Sequence, residues 1–239
     1  MHAYDVNGSY LVQFTVTDDH NHTRSVTLPV WVGDETAPST SLTVSGRKGE
    51  NNWFTGASVM LRLTAVDDIS GVDTIMYTLD GQGYQPYTHS IVLYSKGREG
   101  MHTISYYSVD KVGNREDEKT SSFGIDVTDP GLTIEKPKKW YLYIFGIGLP
   151  LYLNNTVVIG PLRALASVNE SGSGVNRTEF YLNDQLVTVD TTVPYTCMIG
   201  GFSQGGGAVE LKVVTYDFSG RNSTKSLSFV SYGFGVLSR

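Results

Sequence analysis

The sequence predicts an all-β chain of tandem sandwich modules, and three observations carry that prediction. A Gly-to-Asp pattern with one-in-two apolar spacing occurs three times, as Gly8 to Asp18, Gly100 to Asp110 and Gly207 to Asp217. In the first copy Tyr10, Val12, Phe14 and Val16 share one parity, the signature of a strand with one buried face. Three residues after each aspartate stands Asn21, Gly113 or Gly220, residue types that tolerate a left-handed backbone, and a second strand follows at once. This reads as a hairpin with a type I turn closed by a G1-type bulge. Finally, the 239 residues include 26 Gly and 15 Tyr, and only 18% are charged. No stretch has the 3.6-residue apolar period of a long helix.

Taken in order, residues 1–34 supply one hairpin, Ser9–Asp18 with Thr23–Val32. Two strands are marginal in water, so the hairpin is expected either to belong to a module whose other strands lie upstream or to borrow strands from a neighbour. Linkers follow at Gly33–Pro38 and again at Asp126–Pro130, each ending in a proline that holds the chain extended. They set three divisions: 1–34, 35–127 and 128–239. Within the second, strands are expected at Ser41–Ser45, around Val59, Leu61, Leu63 and Ala65, from Val72 to Leu79, over Thr88–Tyr94, and at Lys119–Ile125. Within the third they are expected at Leu132–Glu135, as one run from Thr156 through Val168, from Val175 to Leu182, at Tyr195–Ile199 and at Thr224–Val230. Asp80-Gly81 and Asn183-Asp184 are tight-turn dipeptides. Strands spaced this way, with Ser70-Gly71-Val72 matching Ser173-Gly174-Val175, make the second and third divisions diverged copies of one sandwich.

Bulk properties narrow the function. The net charge of −6 disfavours a nucleic-acid partner, which needs a basic face. One cysteine, Cys197, excludes an intrachain disulfide and a Cys-rich metal site. Its apolar neighbours Met198 and Ile199 mark a buried small residue rather than a reactive thiol. The start at Met1 lacks the basic-then-apolar form of a secretory signal, and the apolar stretch from Trp140 to Leu153, broken by Gly146, Gly148 and Pro150, is too short to span a bilayer. The expectation is a soluble segment cut from a longer protein. Asn-x-Ser/Thr sequons occur at Asn7, Asn21, Asn154, Asn169, Asn176 and Asn222, six of the eleven asparagines, where chance gives about two. Either these are glycan acceptors, or turns are simply rich in Asn, Ser and Thr.

The pattern Gly8-Ser9-Tyr10-x-Val12 with Val16-x-Asp18 resembles the last two strands of a PKD-type sandwich. In the second division, Thr36-Ala37-Pro38, Trp53-Phe54-Thr55, Ser70-Gly71-Val72, Tyr77-x-Leu79-Asp80-Gly81 and Asp110-Lys111-x-Gly113-Asn114 resemble immunoglobulin-like modules of bacterial and archaeal surface proteins. The third, with Tyr141 to Gly146, Val158-Ile159-Gly160-Pro161, Glu179-Phe180-Tyr181-Leu182 and Asp217-x-x-Gly220-x-Asn222, is similar to modules of archaeal secreted proteins. The resemblance implies spacer, adhesive or carbohydrate-contacting roles on exported proteins, and it brings no catalytic residues.

Candidates for chemistry are few. Gly201-Phe202-Ser203-Gln204-Gly205 has the letters of a nucleophile elbow, but that elbow needs a strand-to-helix turn on an α/β sheet. Asp18 with Asp19, Asp67, Asp68, Asp110 and Asp217 could give oxygens to Ca²⁺ at module junctions; the simpler alternative is that each aspartate accepts N–H bonds within its own turn. His20-x-His22 is a weak transition-metal pair, and His102 reads as a packed sandwich residue. Trp53, Trp140 and Tyr141, with Phe54, Tyr84, Tyr87 and Tyr143, could stack on sugar faces or fill the ends of the core.

The reading is therefore an all-β chain of tandem immunoglobulin-like sandwiches that is not an enzyme. It implies a structural or adhesive segment of an extracellular, glycosylated surface protein, needing no cofactor. Its expected partners are further copies of itself, other surface proteins or glycans, with no nucleic acid and no membrane insertion by this segment. The alternative is a carbohydrate- or calcium-binding accessory module of a larger secreted enzyme.

Overall fold

The computed structural model describes residues 6–151, 154–199 and 206–233, and among them there is no helix. The chain divides into two compact units: Met1–Gly46 with Ser58–Tyr94 and Met101–Phe123, and Arg47–Ala57 with Ser95–Gly100 and Gly124–Arg239.

The first unit opens with β1 (Gly8–Thr17) and β2 (Thr23–Val32), an antiparallel pair in unbroken register from Gly8 opposite Val32 to Thr17 opposite Thr23. The expected turn forms: Asn21 N–H donates to the Asp18 carbonyl, and Asn21 is left-handed at φ 62°. Then come β3 (Ser39–Lys48), β4 (Trp53–Val66), β5 (Val72–Leu79), β6 (Gln85–Pro86), β7 (Ile91–Tyr94), β8 (Gly100–Asp110) and β9 (Lys119–Ile125), of which residues 47–48, 53–57, 100 and 124–125 belong to the second unit. β3, the later part of β4 and β7 are hydrogen-bonded neighbours, while β9, β8, β5 and β6 follow one another in a second run. Alternation buries Val59, Leu61, Leu63 and Leu93 from the first set and Ile104, Tyr106 and Phe123 from the second. β7 begins only at Ile91, three residues later than the sequence pattern suggests.

The second unit contains β10 (Gly131–Lys136), β11 (Leu142–Ile144), β12 (Ile147–Leu149), β13 (Thr156–Ile159), β14 (Leu162–Asn169), β15 (Val175–Leu182), β16 (Gln185–Asp190), β17 (Tyr195–Ile199), β18 (Gly207–Asp217) and β19 (Asn222–Tyr232). One sheet has the order β10-β14-β17 and the other β12-β11-β13-β19-β18-β15-β16. Their facing residues form one core in which Leu162, Ala164 and Ile199 meet Phe180, Leu211 and Val213. β13 runs parallel to β19, and Trp53-Phe54 runs parallel to Gly124-Ile125 in the same way. The expected single strand from Thr156 through Val168 is in fact two. Gly160 turns left-handed at φ 78° and Pro161 lacks an N–H, so the chain leaves one sheet after Ile159 and enters the other at Leu162.

Candidate functional site

Each unit repeats one polar corner, built where a linker meets a Ser-Gly turn. Asp34 stands four residues before Pro38, and Asp126 stands four before Pro130. The Ser70 N–H donates to Asp34 Oδ2 at 2.9 Å, and the Ser173 N–H donates to Asp126 Oδ2 at 2.9 Å. Asp34 Oδ1 also accepts from the Thr36 N–H and hydroxyl. Its carboxyl is held below the usual range, first by the Ser70 hydroxyl beside it. Three residues before each serine is a second acid. Asp67 Oδ1 accepts the N–H groups of Ile69 and Gly71, and Glu170 Oε1 accepts the N–H of Gly172. Asp68 joins the first corner by accepting the Thr36 hydroxyl at 2.7 Å. The β-turn aspartates complete both corners. Asp110 Oδ1 takes the N–H groups of Val112, Gly113 and Asn114, while its Oδ2 takes the Asn114 amide. That amide also reaches the carbonyls of Asp34 and Thr36, which locks the linker to the turn. In the second unit Arg221 occupies the place of Asn114; its N–H donates to Asp217 Oδ1, and its guanidinium instead pairs with Asp129 at 2.8 Å.

The other residues singled out from the sequence lie apart from these corners. Asp18 accepts the N–H groups of His20 and His22 and pairs with the His22 ring, which lowers its carboxyl. Asp19 takes the His20 ring, and all of these groups are exposed. His102 is buried, stacked on Phe123 and bonded through Nδ1 to Asp80 Oδ2 at 2.8 Å. Cys197 is buried, and burial raises its thiol. The pentapeptide at residues 201–205 lies outside the described residues. Trp53 is half-buried against Gly124, where an added Cβ would sit 2.4 Å from the indole. Tyr141 is half-buried and stacks on the buried Tyr143. Trp140, by contrast, is 56% exposed at the rim of a groove lined by Lys139, Asn154, Asn155 and Ser228. Among the sequons, Asn7, Asn21, Asn154, Asn169 and Asn222 are exposed, while Asn176 is half-buried at a bulge in β15.

Sequence reading missed the roles of Asp34, Asp126, Glu170 and Glu116. Glu116 is a buried carboxylate in the first unit. Its oxygens accept from Thr40 N–H and hydroxyl, Ser108 N–H and hydroxyl, and the Lys119 ammonium. Burial would raise it, but those donors win and hold it at about 2. No periodicity announces such a residue. The linker aspartates did carry a signal, the shared four-residue spacing to proline.

No family model matches the chain, and neither does any curated protein. Three of the solved structures it resembles are the fibronectin(III)-like modules of Clostridium thermocellum CbhA, a tetra-tandem repeat from the extending region of a large adhesion protein, and the Yersinia pseudotuberculosis adhesin InvE. For the first, identity is 15% over 83% of this chain and 98% of that one, with a TM-score of 0.40. For the second, identity is 16% over 95% and 57%, with a TM-score of 0.39. For the third, identity is 12% over 82% and 61%, with a TM-score of 0.33. At these low values the likenesses decide nothing about function or partners.

Proposed function

We propose that this chain is a non-catalytic structural or adhesive segment of an extracellular surface protein assembled from tandem modules, with divisions at 1–34, 35–127 and 128–239. The observation that carries this reading is the repeated tie between linker and turn. In each unit a linker aspartate accepts the same serine N–H, which stiffens the segment where a string of modules would otherwise bend. Exposed sequons spread over both units suit a surface that faces outward and carries glycans. Small-angle X-ray scattering tests the reading. The native chain should fit a single conformer, and the Asp34→Ala/Asp126→Ala variant a visibly broader ensemble; identical curves would remove the basis for a spacer.

A second reading, a carbohydrate-contacting module on a secreted enzyme, is favoured by one feature. Trp140 presents its ring beside Lys139 and two asparagines, a platform on which a sugar face could stack. A glycan array probed with native protein and with Trp140→Ala separates the two readings, since a spacer gives no Trp140-dependent signal.

A further inference from the structure

We propose that the open seam of the second unit binds an acidic polysaccharide, with Lys138, Lys139 and Lys225 meeting its charges and Trp140 stacking on a sugar ring. This rests on the sugar-contacting reading of Trp140 and adds the class of sugar. β10 and β19 lie in different sheets, so no backbone ladder closes the space between them. A groove of about 480 Å³ opens there, within the ~300–1,000 Å³ typical of small-ligand sites. Buried Leu132 and Leu227 form its floor, and exposed Lys138, Lys139 and Lys225 form its rim. Lys139, Ser226 and Leu227 also line the groove at Trp140, so the two grooves are continuous.

The charge of this seam runs against that of the chain. Acidic residues outnumber basic ones, 24 to 18, yet no carboxylate is among the described residues that line either groove. Among the described residues none of the three lysines forms a salt bridge. Like charges gathered along one concavity, with no acid of the protein's own to neutralise them, attract an anion. A lysine ammonium is a compact point charge, which takes a carboxylate or a sulfate alike.

The ring beside those lysines is displayed by a strained turn. Trp140 has φ 65°, in the left-handed region that a bulky residue seldom enters, and it is 56% exposed. The buried Thr156 hydroxyl holds it there, accepting the Trp140 N–H at 2.9 Å and donating to the Lys138 carbonyl at 3.0 Å. Core packing gives no reason for this conformation, since the side chain is turned to solvent; what it achieves is an aromatic face next to two lysines. Asn155, Ser226 and Ser228 add amide and hydroxyl groups that suit the hydroxyls of a pyranose. Among the described residues that line the two grooves Trp140 is the single aromatic, whereas a nucleic-acid strand stacks successive bases on several.

The test is calorimetry and tryptophan fluorescence of the full, unglycosylated chain titrated with polygalacturonate, alginate and chondroitin sulfate. At least one should bind at low salt and be released at about 1 M NaCl, where the Debye length falls to about 3 Å. Lys138→Gln/Lys139→Gln/Lys225→Gln should weaken binding about tenfold, and Trp140→Ala about fivefold with loss of the fluorescence change. All four side chains are exposed, so the variants should melt with the native chain, and the salt arm tests charge without any substitution. Failure of all three acidic chains overturns the proposal. Equal, Trp140-dependent binding of methyl-esterified polygalacturonate overturns it while leaving the sugar-contacting reading in place; no binding of any polysaccharide, neutral ones included, removes both. Equal binding of polyphosphate or single-stranded DNA, indifferent to Trp140, would reduce the seam to ion exchange and overturn it too. Asn154 is a sequon lining this groove, so a glycan found there by mass spectrometry of the protein from its own host would fill the site and have the same effect.

Discussion

Glu116 carries the greatest chemical burden of any single side chain in the first unit. It gathers Thr40, Ser108 and Lys119 around one buried carboxylate, and each partner reaches it from a different strand or loop. Because its folded value, about 2, lies below the ordinary 4.5, its contribution to stability is complete above about pH 4.5 and is lost as the pH falls toward 2. Glu116→Gln should cost about 2–3 kcal/mol at neutral pH, read from urea unfolding, and should flatten the acid limb of the stability profile. An unchanged acid limb would show that the network does not hold the proton off. Asp217 and Glu170 have the opposite sign. Their folded values are raised, so the stability they contribute is present below their ordinary values and is lost as the pH rises through the folded ones. Neutralising them as Asp217→Asn and Glu170→Gln should therefore stabilise the protein at neutral pH, read from urea unfolding.

At the scale of the element, the short parallel pairs matter most. Trp53-Phe54 lies beside Gly124-Ile125, and β13 lies beside β19, so the same pairing recurs although the sequences differ. Gly124 is required by contact, not by backbone conformation: an added methyl would meet the Trp53 indole at 2.4 Å. Gly124→Ala should therefore cost about 1–3 kcal/mol by overpacking, and in a Trp53→Ala background the same change should become nearly neutral. Additive costs in the two backgrounds would mean that the ring is not what excludes the methyl. The sequence signal for these elements was uneven. β8 and β9 stood out because glycine, alternation and turn residues agreed. The break at Gly160-Pro161 hid inside a continuous apolar run, since periodicity reports burial but not which sheet a strand joins.

For the molecule as a whole, the first hairpin presents an exposed, largely apolar face. Tyr10, Val12, Phe14 and Val16 on β1 stand across from Val30, Leu28, Val26 and Arg24 on β2, which makes one face of the hairpin largely apolar. Phe14, Val16, Val26 and Leu28 are all about half exposed or more. A second copy of this chain is the occupant we propose, by strand addition or face-to-face packing. Sedimentation velocity should reveal concentration-dependent association that Phe14→Ser/Leu28→Ser abolishes. Strictly monomeric behaviour of the native chain would end that proposal.

The sequence by itself determined the all-β class, most of the longer strands and the turns after Asp18, Asp110 and Asp217, because alternation, left-handed turn residues and glycine spacing are local properties that each segment carries alone. It also placed Asp67, Asp68 and Asp217 among the candidates. Only the tertiary structure decided which of them matter together. Asp34 and Asp67 are distant in the chain yet share one corner, and Asp110 and Asp217 are equivalent in sequence yet differ in whether a neighbouring amide satisfies them. Burial and the pairing of lone pairs are properties of a folded neighbourhood, and no single segment contains that information.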